Sequence, residues 1–108
     1  MTVFVDDVRH KFGRMIMCHM WADSLLELLA MADRIGVARR WLQEPPKASW
    51  VHFDVCLAAK ARALAAGAML TDKYAAVEHR YRLNGDIQRA EQVARLRMLE
   101  KRKSADGR

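Results

Sequence analysis

A pair of helix-boundary signals constrains the fold most strongly. Ser24 and Glu27 match the capping box, in which the two side chains satisfy free backbone N–H groups at the start of a helix. Gly36 stands where a helix commonly ends in the left-handed conformation. The apolar residues between these signals recur with the helical period: Leu25, Leu28, Leu29, Ala32 and Ile35. The pattern predicts an amphipathic helix over residues 24–36 that covers an apolar core.

Two short apolar segments precede this helix. Residues 2–5 are β-branched and aromatic, and residues 14–20 are apolar at both alternating positions, so both segments are predicted strands. Residues 7–13 connect them and are too few for a parallel crossover, which needs roughly a dozen or more. The first strand is therefore expected to run antiparallel to its neighbour.

The segments that follow the helix predict the rest of an α/β domain. Residues 37–43 resemble a strand, reached from the second strand through the helix, which favours a right-handed parallel unit. Asp54 is predicted to cap a second helix over residues 55–66, and residues 68–70 to form a last short strand. The expected fold is a small three- to four-stranded mixed sheet with helices packed on it.

The composition changes at residue 71. The segment 71–83 is helical in pattern, Asn84 and Gly85 break it, and residues 86–101 form a second helical pattern. The expected docking positions of that last helix are Ile87, Ala90, Ala94 and Met98. We therefore predict an α/β core over residues 1–70 and a basic helical extension over residues 71–108 with a frayed end at 104–108, and the helical pair is a candidate for homodimerisation.

The charge and the cysteines predict the kind of partner and the cellular compartment of the protein. The net charge is +6, and nine lysines and arginines against five acids in residues 78–108 place +4 of it in the tail. This balance favours a phosphate-bearing ligand, nucleic acid or an acidic protein as partner. The chain carries no apolar segment long enough to span a membrane, and Cys18 and Cys56 lack the spacing of a zinc motif. A cytoplasmic protein with reduced thiols is expected.

One set of polar residues is predicted to converge at a sheet edge. His19 follows the second strand, Gln43 the third, and His52 and Asp54 precede the second helix. Asp23 and Arg39 are expected beside them as ligand-binding residues.

Three interpretations of this set stay open. Imidazole and carboxylate ligands suit a divalent ion such as zinc, manganese or iron. An aspartate that orients a histidine suits acid–base catalysis, with His19, His52 and Asp54 as the catalytic residues. The third interpretation is a structural network, because Asp23 and Asp54 are suitable helix caps.

Asp6 and Asp7 form a second acidic feature after the first strand. Paired carboxylates can hold Mg²⁺, so the two residues are a separate and weaker metal-site hypothesis, and pairing with Arg9, His10 or Arg14 is the alternative. An antiparallel first strand is expected to put them at the end of the sheet opposite His19.

Several separated motifs resemble a known family. The segments VDD, CHMWAD, RIGVARRWLQ and HFDVCLAAKARALAAGA occur in this order within residues 2–70. They resemble the domain of unknown function 4031 family of short bacterial and phage proteins. The matching positions are Asp6, Asp7, Cys18, His19, Ala22, Asp23, Gly36, Arg39, Trp41, Gln43, His52 and Asp54. The chain departs from the family pattern at Leu29, where histidine is common, and at Phe53, where tyrosine is usual. The resemblance implies no particular activity.

Three functional hypotheses follow from the sequence. The first is a ligand-binding or enzymatic domain that acts on a phosphate-bearing substrate, with a divalent metal as a candidate cofactor. The second is a non-enzymatic basic module that binds nucleic acid or an acidic protein. The third is a structural protein that self-associates through its C-terminal helices.

Overall fold

The computed structural model describes the backbone of residues 2–105 and the side chains of residues 2–102. The chain divides into two compact units, Met1–Asp72 and Lys73–Arg108. The first unit contains the whole sheet, and the second contains two helices.

The first unit is built on one mixed five-stranded sheet. Its strands are β1 (Val3–Val5), β2 (His10–Phe12), β3 (Met15–Ala22), β4 (Phe53–Cys56) and β5 (Met69–Leu70). β3 pairs antiparallel with β1, β2 and β4, while β5 runs parallel to β1. The predicted α/β fold with an antiparallel first strand is confirmed. The number of strands exceeds the three to four expected, because β2 and β4 had been assigned to other structure.

β2 lies in the segment that was predicted to be a connector. Residues 13 and 14 form a two-residue loop between β2 and β3, and Gly13 takes a φ of 61°. Glycine adopts this conformation without the steric penalty of other residues, and it is favoured in the tight loops of β-hairpins. The result places His10 in a strand that pairs with Met17.

Two helices accompany the sheet: α1 (Leu25–Ile35) and α2 (Leu57–Ala65). The Ser24 hydroxyl accepts a hydrogen bond from the Glu27 backbone N–H at 3.2 Å, and Gly36 ends α1 at a φ of 80°. Both predicted boundary signals of α1 are confirmed.

The prediction of a strand over residues 37–43 is wrong. Arg39–Trp41 form a short 3-10 helix, and 61% of Trp41 is exposed, so the segment buries no alternating face. Gln43 forms only an isolated bridge with His52. The expected parallel unit between the second and third strands is therefore absent from the described residues, and the parallel pair is β1 with β5.

The prediction that Asp54 caps the second helix is also wrong. Phe53 and Val55 are buried and alternate with the half-buried Asp54, which is the period of a strand. Asp54 lies within β4, and α2 begins only at Leu57, after Cys56, whose side chain makes no capping hydrogen bond.

The core lies on one face of the sheet. Cys18 and Met20 of β3 and Phe53 of β4 are fully buried in a cluster that also contains Leu28 of α1 and Ala59 of α2. Because side chains alternate along a strand, Met17, His19 and Trp21 lie on the opposite face of β3. The Trp50 ring packs against His19 and Trp21 at centroid distances of 5.7 and 5.6 Å, so part of that second face is also covered.

The second unit consists of α3 (Lys73–Leu83) and α4 (Ile87–Ala105), separated by the expected break at Asn84 and Gly85. Of the expected docking positions, Ala90 is fully buried and Ala94 is half-buried, whereas 46% of Ile87 and 61% of Met98 are exposed. α3 has 11 residues and α4 has 19, so at about 1.5 Å per residue α3 covers only part of α4.

The frayed end expected at residues 104–108 begins inside α4, whose last residue is Ala105, and residues 106–108 lie outside the described chain. Within the described residues, no helix has the length and apolar character needed to cross a membrane.

Candidate functional site

Antiparallel pairing brings three polar side chains together on the sheet face opposite the core. In the register of β3 and β4, His19 lies directly opposite Asp54. His10 of β2 lies opposite Met17, two residues from His19 on the same face. Directly opposite and diagonal neighbours in a sheet lie within side-chain reach of each other. The His10 and His19 rings stack with centroids 5.2 Å apart.

A fourth side chain, His52, joins them from the residue before β4. We call His10, His19, His52 and Asp54 the histidine–aspartate cluster. Its centre is Asp54 Oδ1, which lies 3.8 Å from His10 Nε2, 3.9 Å from His19 Nε2 and 3.5 Å from His52 Nε2. Three imidazole nitrogens thus surround one carboxylate oxygen.

Asp6 fixes the orientation of the His19 ring. Asp6 is fully buried, and its Oδ2 lies 2.7 Å from His19 Nδ1. Its Oδ1 accepts hydrogen bonds from the backbone N–H groups of His19 at 3.0 Å and Val8 at 3.3 Å. A carboxylate only accepts hydrogen bonds, so His19 Nδ1 carries a proton and, in the neutral ring, Nε2 presents its lone pair toward Asp54.

The same contact changes the acidity of His19. The hydrogen bond to Asp6 raises the pKa of His19 above its ordinary value, partial burial opposes the rise, and the charges of Asp6 and Asp54 add to it. The protonated ring is therefore favoured by its partners, as expected for a histidine held between two carboxylates.

The expectation that Asp6 lies at the opposite end of the sheet from His19 is wrong. His19 lies within β3 rather than at its exit, and the Asp6 N–H donates to the His19 carbonyl oxygen at 3.2 Å. Asp7 is exposed, whereas Asp6 is buried with both oxygens engaged. The oxygens of Asp6 are thus engaged by His19 and Val8, and a paired Mg²⁺ site at Asp6 and Asp7 stays a prediction.

Hydrogen bonds also orient the other members of the cluster. Gln43 Nε2 donates to Asp54 Oδ2 at 2.7 Å, which leaves Asp54 Oδ1 facing the histidines. His52 Nδ1 lies 3.1 Å from the Trp50 carbonyl oxygen, and the Trp50 and His52 rings stack at 4.2 Å. A carbonyl only accepts, so Nδ1 of His52 carries the proton and Nε2 of the neutral ring is directed toward Asp54. The structure thus brings together the predicted residues His19, Gln43, His52 and Asp54.

Two other predicted ligand-binding residues make different contacts. Arg39 forms a bidentate pair with Asp33, with nitrogen–oxygen distances of 3.0 and 2.6 Å. That pair lowers the pKa of Asp33 and raises the pKa of Arg39. Asp23 is exposed after β3, and its backbone N–H donates to the Thr2 carbonyl oxygen. Neither side chain is a member of the histidine–aspartate cluster.

His10 was not among the predicted site residues. Residues 7–13 were predicted to be a connector, and His10 was predicted only as an ion-pair partner for the adjacent acids. The signal that points to His10 is Gly13 between two apolar-containing segments, which is typical of a short hairpin loop. A hairpin at this position places His10 and Met17 opposite each other.

The cluster contains two buried ligand atoms without hydrogen-bond partners. Among the described residues, no donor or acceptor pairs with His10 Nε2 or Asp54 Oδ1, although both atoms are inaccessible to solvent. Buried polar atoms in folded proteins are almost always hydrogen-bonded, and an ion is one explanation when they are not. His10, His19 and Asp54 each offer a ligand atom, and these atoms lie within 4.8 Å of one another.

The separations approach those of a metal centre. Ligand atoms bonded to zinc at about 2.0–2.1 Å in a tetrahedron lie roughly 3.4 Å apart. The distances of 3.8 and 3.9 Å from Asp54 Oδ1 to the histidines of β2 and β3 exceed that value by a few tenths of an ångström. Two imidazoles and one carboxylate are ligands of zinc and of non-haem iron.

A cavity of about 310 Å³ adjoins the cluster at Asp54 and Gln43. The side chains of His10, His19 and Asp54 are 38%, 26% and 28% exposed, although the atoms His10 Nε2 and Asp54 Oδ1 are themselves buried. Asp54 connects the cluster to the cavity, which has room for a further ligand.

Comparison with protein families matches residues 3–83 to the family described as "Protein of unknown function (DUF4031)". The match extends past residue 70, where the resemblance was expected to end, and includes α3. Comparison with curated proteins and with solved structures found no match. Because the family match covers most of the sequence and includes every member of the histidine–aspartate cluster, the chain belongs to the domain of unknown function 4031 family.

Proposed function

We propose that the histidine–aspartate cluster is a catalytic centre for a divalent transition-metal ion that activates water for hydrolysis. The ligands are His10 Nε2, His19 Nε2 and Asp54 Oδ1. The observation that carries the proposal is the pair of buried atoms, His10 Nε2 and Asp54 Oδ1, that face each other without hydrogen-bond partners among the described residues. A cation between them would compensate both atoms at once.

Acid–base catalysis without a metal is less well supported by the same geometry. A catalytic histidine–aspartate pair requires a hydrogen bond, with heavy atoms about 2.6–3.2 Å apart, and His19 with Asp6 meets this criterion at 2.7 Å. The contacts of Asp54 with the histidines of β2 and β3 do not. Asp54 Oδ1 lies 3.8 Å from His10 Nε2 and 3.9 Å from His19 Nε2. These separations are too long for hydrogen bonds and suit atoms that share an ion.

The surrounding hydrogen bonds favour a metal centre as well. Histidine ligands of metals commonly donate their second ring N–H to a carboxylate or a backbone carbonyl, which fixes the tautomer and the ring orientation. Asp6 has this relation to His19, and Gln43 holds the second oxygen of Asp54. The chain thus supplies both the ligands and the groups that orient them.

Three protein ligands beside an accessible cavity favour a catalytic role over a structural one. Structural zinc sites are closed by four protein ligands, whereas catalytic sites keep one position for water. The ion would lower the pKa of a bound water molecule toward neutrality and polarise the substrate. His52 Nε2 lies 3.5 Å from Asp54 Oδ1 and is the candidate acceptor for the proton of that water.

The proposal is tested by metal titration of the full chain after removal of bound metal with a chelator. Isothermal titration with zinc, manganese and iron(II), together with the visible spectrum of the cobalt(II) form, measures affinity, stoichiometry and ligand set. We expect one ion per chain, with binding abolished in His10→Ala and in Asp54→Asn.

Asp7→Asn is the matched control, because it removes an exposed carboxylate near the same strands and is expected to leave binding unchanged. Circular dichroism of each variant verifies the fold. Equal zinc affinity in the original chain and in folded His10→Ala would contradict the proposal.

A second candidate function is self-association through the helical pair of α3 and α4. The observation that favours it is the exposure of 56% of Leu96, 61% of Met98 and 58% of Leu99, from the middle of α4 onward. Large exposed apolar patches commonly mark interaction sites. We take a second copy of the chain as the partner, because each copy carries the same exposed apolar residues.

A further inference from the structure

We propose that the cavity beside Asp54 binds an uncharged apolar group of the substrate, an aromatic ring or a short branched chain, while an ester or amide carbonyl of the same molecule reaches the metal. This inference rests on the proposed function and names its substrate class. It replaces the phosphate-bearing substrate that the sequence had favoured.

The walls of the cavity are mainly apolar. Phe12 of β2, Met15 and Met17 of β3 and Trp41 of the 3-10 helix line it, and the polar side chains that line it are Gln43 and Asp54. Ligand sites commonly combine apolar walls with a few polar groups that fix the orientation of the ligand. Here the polar groups lie next to the proposed metal ligands, so an apolar group in the cavity points its polar end toward the ion.

Two aromatic side chains at this cavity lack cover from the chain itself. Phe12 is 72% exposed, Trp41 is 61% exposed, and Met15 is 47% exposed. Single exposed apolar residues are ordinary, but three around one cavity next to a polar cluster form a surface that an apolar ligand can bury. Burial of that surface is a source of binding free energy.

The charged side chains around the cavity are unfavourable for the binding of a phosphate group. Within the described part of the chain, no lysine or arginine lines it, whereas the Asp54 carboxylate does. Arg39 is engaged by Asp33, and the Arg40 guanidinium lies over the Trp41 ring at 5.2 Å without lining the cavity. A dianion placed among these walls would be desolvated with only the metal as a counter-charge, whereas a neutral group carries no such cost.

The volume limits the size of the apolar group. At about 310 Å³ the cavity is at the lower end of the range of about 300–1,000 Å³ typical of ligand pockets. It therefore suits a single ring or a short chain rather than a nucleotide or a polymer segment.

The reaction of such a substrate balances with water alone. The water oxygen forms a bond to the acyl carbon, and the bond from that carbon to the ester oxygen or amide nitrogen breaks. One water proton passes to the leaving group and the other stays with the acid, so the products are a carboxylic acid and an alcohol or amine. No oxidant or reductant is consumed.

The test compares two hydroxamic acids that carry the same metal-binding group. Benzohydroxamate has a ring for the cavity and acetohydroxamate has only a methyl group. Isothermal titration of the zinc-loaded full chain is expected to show benzohydroxamate binding about tenfold more tightly or better, as the burial of a ring predicts. Phenylphosphonate, which combines the ring with a dianion, is expected to bind more weakly than benzohydroxamate.

Substitutions in the cavity wall test whether the preference for benzohydroxamate arises there. Phe12→Ala and Trp41→Ala are expected to remove most of the preference for benzohydroxamate over acetohydroxamate. Both side chains are largely exposed, so their removal should not unfold the protein. Leu26→Ala is the matched control, because Leu26 is 80% exposed on α1 and does not line the cavity.

The outcomes separate this inference from the proposal on which it rests. Failure of the original chain to bind zinc overturns both. Zinc loading with equal affinity for the two hydroxamates, or with tighter binding of phenylphosphonate than of benzohydroxamate, overturns the substrate class and leaves the metal centre standing.

Discussion

The two units of this protein use polar residues in opposite ways. In Met1–Asp72, a fully buried aspartate and partly buried histidines come together from positions that are distant in the sequence. In Lys73–Arg108, the pairs of Arg82 with Glu78 and of Arg89 with Asp86 are local in sequence and lie at the surface. Buried polar networks depend on each member, whereas exposed pairs contribute little. The difference shows where a single substitution should matter.

The largest expected effect is the loss of the buried carboxylate that holds His19. Asp6→Ala leaves two backbone N–H groups and His19 Nδ1 without their acceptor, and removal of one partner of a buried pair costs about 3–5 kcal/mol. Urea unfolding measures the change. Asp7→Ala alters an exposed carboxylate one position away and should change stability by about 0.5 kcal/mol or less. Similar losses in both variants would contradict the contrast drawn between buried and exposed charge.

The second-largest expected effect is the increase in stability when the metal binds. A ligand that binds only the folded state adds about 2.7 kcal/mol at a free concentration one hundred times its dissociation constant. The thermal midpoint of the original chain should therefore rise when zinc is added at that excess.

His10→Ala should show no such rise, whereas Arg82→Ala, which changes an exposed pair of the second unit, should respond as the original chain does. If zinc stabilised His10→Ala to the same extent, the metal would have to bind outside the histidine–aspartate cluster.

Raising the pH tests the effect of burial on a third group, the thiol of Cys18. Burial raises the pKa of Cys18 from 9.0 to about 11, with Lys60 opposing the rise. The unfolded chain therefore releases this proton at lower pH than the folded chain, so the contribution of Cys18 to stability is full below pH 9 and is lost between pH 9 and about 11.

Urea unfolding at a series of alkaline pH values should show this loss, and Cys18→Ala should show less of it. In the folded chain at pH 8, iodoacetamide should modify Cys56 before Cys18, because Cys18 is fully buried. Mass spectrometry of the digested protein identifies the modified thiol, and faster modification of Cys18 would contradict the assignment.

The smallest expected effect on stability comes from the exposed apolar residues of α4. Leu96→Ser and Leu99→Ser should each change the free energy of unfolding by about 0.5 kcal/mol or less, because neither side chain is buried. If α4 mediates self-association, the same changes should lower the mass measured by light scattering from dimer to monomer. A monomer mass for the original chain at high concentration would exclude this role.

The sequence by itself determined those features that depend only on residues close to one another in the chain. Ser24 and Gly36 gave the two ends of α1, and Asn84 with Gly85 gave the break between α3 and α4. The short connection between the first two strands also predicted that β1 runs antiparallel to β3. Capping and turn formation are local, so no knowledge of distant residues was required.

The tertiary structure alone decided the composition of the candidate site. The sequence identified His19, His52 and Asp54, but it treated Asp54 as a helix cap, separated Asp6 from His19 and left out His10. Each of these errors concerns strand pairing, and the register of a strand is fixed by partners far away in the chain and by which face is buried. Once β2, β3 and β4 pair in register, His10, His19 and Asp54 necessarily share one face of the sheet.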